Sequence, residues 1–186
     1  YAVSSGISLS VASGGTATDL IASSGARLYL TIAPDTYIQG TFAGSAFEMK
    51  DAWISKYAVS SGISLSVESG GTATNTTVKN WGALYVSNGG TATNTTVENW
   101  GALYVSNGDT ATNTTVNSGG IINGFRIQTD NYYSSGIHIS NVILNSGTAD
   151  LYSGQMATNI TVNGGGLYVY DGGTATMTTV NSGGSL

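Results

Sequence analysis

The 186-residue chain has no cysteine, one proline, one histidine and only five basic residues, Arg27, Lys50, Lys56, Lys79 and Arg126. Each shortage removes a class of function. Without cysteine there is no disulfide, no thiolate metal site and no sulfur nucleophile. With so few Lys and Arg, and a net charge of −5, the chain lacks the clustered cations that hold phosphates, so no nucleic-acid partner is expected. No apolar run approaches the ~18 residues of a membrane-spanning helix, and membrane attachment is expected only through a domain outside this segment. Charged residues are 8% of the chain, too few for a coiled coil or long helical repeat. What is present, 11 Tyr and 27 Gly among scattered Val, Ile and Leu and abundant Thr, Asn and Ser, is the composition of strands and turns. Tyr1 is not an initiator residue, so the chain is expected to be a segment of a longer protein, with any signal peptide outside it.

Internal repetition decides the architecture. The string GGTATNTTV occupies Gly70 to Val78 and recurs at Gly89 to Val97, and GDTATNTTV follows at Gly108 to Val116, in steps of 19 residues. YAVSSGISLSV opens the chain at Tyr1 and returns unchanged at Tyr57. With the Leu of LYV as marker, a column runs Leu9, Leu28, Phe47, Leu65, Leu84, Leu103, Ile122, Ala149, Leu167, Leu186, in steps of 18 or 19 apart from one of 27 after Ile122. Residues 31–56 then read as a degenerate unit in which Phe47 and Met49 replace the Leu and Val of LYV. The long step reads as about eight extra residues within Gly124 to Ser135. A second apolar column comprises Val3, Ala22, Val59, Val78, Val97, Val116, Ile143, Val162 and Val180.

A unit this short cannot bury a core alone, so neighbouring units must stack and share one. LYV alternates with the period of a strand, and Gly, Asn and Ser clusters mark turns between strands. The expectation is an all-β chain, a parallel β-helix over residues 1–186 with one coil per unit and an insertion near 124–135. Ten markers imply about ten coils and, at ~4.8 Å per coil, a rod about 48 Å long. The L-x-x-L-x-L pattern of a leucine-rich horseshoe is missing.

Stacking makes columns the unit of chemistry. Thr72, Thr91 and Thr110 pair with Thr74, Thr93 and Thr112, as an ice-facing array, as glycosylation acceptors, or simply as β-branched residues suited to strands. Asn75, Asn94 and Asn113 each open an N-x-T sequence, and the same side chains can bond the backbone at corners or one another along the stack. Tyr85 and Tyr104, with Tyr29 and Tyr168 in equivalent positions, and Trp81 one coil from Trp100, are candidates for partner binding or for ladder stabilisation. No catalytic constellation is recognisable: His138 has no cysteine to activate, no serine sits in a nucleophile elbow, and the ten acids are dispersed. No cofactor and no metal site are expected. The compact mixture Arg126, Asp130, Tyr132, Tyr133 and His138, in and beside the insertion, is where a site would lie if the chain were instead a carbohydrate-active β-helix.

The unit GGTATNTTVxxxGxLYVSNGG, as at Gly70 to Gly90, resembles the passenger repeat of AIDA-type autotransporter adhesins. The resemblance implies a right-handed parallel β-helix, secreted by or displayed on the outer surface of a Gram-negative bacterium, that serves adhesion, self-association or biofilm formation. Its implied partners are other copies of itself or cell-surface glycans and proteins. Some members carry heptose on Ser or Thr, which makes Thr72 and Thr91 candidate glycosylation sites.

Overall fold

The computed structural model describes residues 1–106, 109–124 and 138–186, and every regular element among them is a strand. One coil shows how the sequence closes a circuit. Strands Thr72–Thr74, Thr77–Val78 and Ala83–Val86 follow one another. In the first, Ala73 points in and both Thr point out. Strict alternation would next turn Asn75 inward. Asn75 instead adopts φ 51°, the left-handed conformation that Asn tolerates better than most residues, and the phase slips by one. Thr76 and Val78 consequently face the core while Asn75 and Thr77 face out. Asn80 and Trp81, at φ 50° and 67°, form a type I′ turn closed by the Gly82 N–H donating to the Lys79 carbonyl at 2.9 Å. At Gly82 a Cβ would lie 2.3 Å from the Val59 carbonyl oxygen of the coil above, so a side chain has no room there.

Copies of this circuit stack in parallel. The LYV face is an eight-stranded sheet whose strands are Ser8–Val11, Arg27–Ile32, Ile63–Val67, Ala83–Val86, Ala102–Val105, Ile121–Gly124, Thr148–Leu151 and Gly166–Val169. Leu65, Leu84, Leu103 and Ile122 lie one above another and are fully buried, each burial stabilising by about 1.5–3 kcal/mol. The rod thus has about eight coils rather than ten, or about 38 Å at ~4.8 Å per coil. Leu186 is 71% exposed beyond the last full rung.

One of the two missing coils is the incomplete rung at Leu186, and the other traces to residues 31–56. Phe47 is buried as expected, at 6% exposure, but its strand Ser45–Met49 is not a rung of the LYV sheet. It runs antiparallel to Tyr37–Phe42, whereas Arg27–Ile32 pairs directly with Ile63–Val67. Two reversals produce this. Ala43 and Gly44, at φ 47° and 84°, and Asp51 and Ala52, at φ 52° and 59°, turn the chain back twice. The opposite face splits there into a four-stranded sheet ending at Ser45–Met49 and an eleven-stranded sheet beginning at Trp53–Ser55. The LYV register also slips, so that Leu28 faces Ile63 and Leu30 faces Leu65.

Two smaller corrections follow from pairing. In the second apolar column Leu144, not Ile143, lies between Val116 and Val162, because Asn141 at φ 53° imposes the same phase slip as Asn75. Tyr29 faces Ser64 rather than Ser66, the residue above Tyr85. Beyond Ile121–Gly124 the chain re-enters the stack at His138–Leu144, which pairs with Thr110–Thr112 on one side and Met156–Val162 on the other.

Candidate functional site

Outward columns form extended arrays, and the structure aligns them. Thr72 and Thr91 stack between Trp53 and Thr110, half-exposed, on either side of them. Thr112 donates to the Thr93 hydroxyl at 3.4 Å, and Thr176 to that of Thr158 at 3.2 Å. Asn75, Asn94 and Asn113 form an exposed ladder that continues through Asn141 and Asn159. Each side-chain N–H donates to the amide oxygen one coil nearer the N-terminus, at 3.3, 3.0, 3.0 and 2.8 Å. The first Asn of each N-x-T sequence is thereby engaged in the stack.

A second ladder, Asn117, Asn145, Asn163 and Asn181, has bonds of 3.0, 2.9 and 2.7 Å. Sequence reasoning missed it, although its signal is visible as an Asn directly after Val116, Leu144, Val162 and Val180. The stacked pair Tyr152 and Tyr170, with centroids 4.6 Å apart, was also missed, hidden by the step of 18 that follows the long interval.

The aromatics singled out from sequence do stack. Tyr85 and Tyr104 are 4.9 Å apart at 13°, and Trp81 and Trp100 are 5.3 Å apart at 6°. The Tyr85 hydroxyl is pushed above its ordinary pKa by partial burial and then by the nearby Tyr104 and Tyr29 hydroxyls. Asp109, in place of the second Gly of GGTAT, is buried and accepts the Gly89 N–H. Burial raises its carboxyl pKa, and the Gly89 and Gly90 N–H groups partly offset this. Its role is to join two coils.

Concavities are shallow. One, about 580 Å³, lies where the parallel stack breaks and is lined by Asp19, Gln39, Gly40, Phe47 and Glu48 among others. Another of about 290 Å³ lies beside the first Asn ladder. Among the described residues no group of three or more His, Asp or Glu could hold a metal ion. Arg126, Asp130, Tyr132 and Tyr133 lie outside the described residues, as does the proposed insertion loop. His138 opens a strand paired with Thr110 and Met156.

Comparison with known proteins matches residues 39–101 to the family described as adhesin of bacterial autotransporter system, probable stalk. Over those residues the repeats match AIDA-type autotransporter adhesin repeats. Among solved structures, a crystal structure of a TibC-catalysed hyper-glycosylated TibA fragment is similar at 29% identity and a TM-score of 0.55, over 99% of this chain and 73% of that one. No curated protein sequence matches. The AIDA-type array is an adhesive, surface-displayed or secreted passenger segment of Gram-negative type, and its role is structural.

Proposed function

We propose that this AIDA-type segment works by binding rather than turnover, as a stalk whose repeated outward columns engage other copies of itself or cell-surface glycans and proteins. The observation that supports it most is the pair of in-register amide ladders, which present the same polar group coil after coil. A single such contact contributes only ~1 kcal/mol net, so adhesion comes from many contacts engaging together on crowded surfaces. Asn75, Asn94, Asn113, Tyr85, Tyr104, Trp81 and Trp100 are the contact residues in this reading. Thr72 and Thr91, half-exposed, are its glycan acceptors, in keeping with the hyper-glycosylated TibA fragment. Biofilm formation is the population-level outcome of self-association.

Beads coated with the protein test the reading. Coated beads should clump while the soluble rod stays largely monomeric, and replacing half-exposed Thr77 and Thr115, which flank the first ladder two coils apart, with Glu should disperse them without lowering the melting temperature. Clumping unchanged by these charges would overturn it. Cleavage of a polysaccharide by the purified chain, lost on replacing Asp130 or His138, would replace it with the enzyme reading.

A further inference from the structure

Trp81 and Trp100 occupy a place that the fold reserves for glycine. In the equivalent turns the same position is Gly6, Gly25, Gly62 and Gly119, all at positive φ between 72° and 86°. Trp81 and Trp100 are held at φ 67° and 64°, a conformation that is a genuine outlier for a bulky L-residue. Strain of this kind persists where the surroundings impose it and concentrates at functional positions. Burial does not explain it, because the indoles are 72% and 57% exposed.

We propose that the two indoles form a saccharide-binding ridge, retained at a conformational cost. The rings stack face to face at 5.3 Å and 6°, and the coils immediately above and below the pair carry Gly62 and Gly119 at that position. Neither flanking coil carries a side chain of its own at that position, and with exposures of 72% and 57% the indoles present aromatic surface whose π-cloud is electronegative. The rim is neutral and polar: Asn80 and Asn99 are exposed beside the rings, and Ser61 and Ser118 precede the flanking glycines. A flat apolar face within a ring of amides and hydroxyls matches a neutral pyranose, which has C–H groups on one face and hydroxyls around its edge. A protein partner needs a much larger contiguous interface than two side chains provide. The proposal names a ligand class for residues already placed among the adhesive contacts and rests on that reading.

The test observes the indole N–H resonances of the whole chain by NMR while methyl glucoside, methyl galactoside and N-acetylglucosamine are titrated in turn. Trp53, 52% exposed on another face, is the internal control. The expected result is a shift of Trp81 and Trp100 but not Trp53, with a dissociation constant of about millimolar. Replacing both residues with Gly should raise the melting temperature, since an Asn–Gly pair suits a type I′ turn, and should weaken sugar binding by at least about tenfold. Trp81→Phe with Trp100→Phe should retain part of the binding. No shift at Trp81 and Trp100 with any of the three sugars, or a lowered melting temperature for the glycine variant, would overturn the proposal. Bead clumping measured without sugar reads the rod-to-rod contacts separately, so it persists if the ridge alone is wrong and fails if the adhesive reading is wrong.

Discussion

The coils from Gly71 to Ile122 and the segment from Ala33 to Lys56 both bury apolar residues, by different means. In the first, each strand meets its own copy in register, Leu84 on Leu103 and Ala73 on Ala92. In the second, Met49 and Phe47 are buried by an antiparallel hairpin that matches Ile38 to Met49 and Gly40 to Phe47. Inward alternation of apolar side chains therefore specifies a strand and its buried face, and leaves open which strand lies beside it. Turn chemistry supplies that second piece of information.

Four predictions break or sharpen the contrast, from the largest effect to the smallest. Leu84→Asp should abolish cooperative folding, because it buries an unpaired charge between two apolar coils, whereas Phe47→Ala should cost about 3–5 kcal/mol and leave a folded rod. Circular dichroism melts of both variants check this. Thr95→Val with Thr114→Val should stabilise the regular coils by about 2 kcal/mol. The hydroxyls of Thr95 and Thr114 are buried without a partner, an unpaired group costs about 1–3 kcal/mol, and further down the same column the chain itself uses Val142 and Ile160. Urea midpoints measure the gain.

Tyr57, where the interruption ends, also buries an unpartnered hydroxyl, so Tyr57→Phe should be stabilising by about 1 kcal/mol. Burial pushes the Tyr57 hydroxyl above its ordinary pKa. The neutral form is favoured in the folded state, so stability is full below the unfolded pKa of about 10 and is lost as pH rises past it. The variant should show a shallower loss in urea melts at alkaline pH. Last, Ala43→Asn should raise the melting temperature slightly, by well under about 1 kcal/mol, because Asn-Gly fits the type I′ hairpin better than Ala-Gly. A destabilised Ala43→Asn variant would mean that the turn is imposed by its surroundings.

The regular coils were legible in sequence because their marker, turn and Asn positions repeat together, so the inward place of Leu65, Leu84 and Leu103 and the stacking of Tyr85 on Tyr104 follow from one register. The hairpin was not legible. Asp51-Ala52 carries no turn signal, and the spacing of Phe47 from its neighbours coincides with the period. Spacing puts Ile143 near the second apolar column, where Leu144 lies, for a related reason: a single left-handed Asn moves every later side chain to the opposite face, a shift that spacing alone does not register. Of the candidate contacts, sequence placed the Asn and aromatic columns. It did not show that Trp81 and Trp100 stand where other coils use glycine, because that equivalence depends on φ.

The first Asn ladder has an orientation as well as a position. All four of its side-chain bonds donate toward the N-terminal coil, so its amide dipoles are aligned, and reversing one would set oxygen against oxygen on one side and nitrogen against nitrogen on the other. The row behaves as an arrow painted along the rod. Two rods lying side by side with arrows opposed meet each other differently from two with arrows alike, which lets a surface with no net change in composition along its length tell up from down.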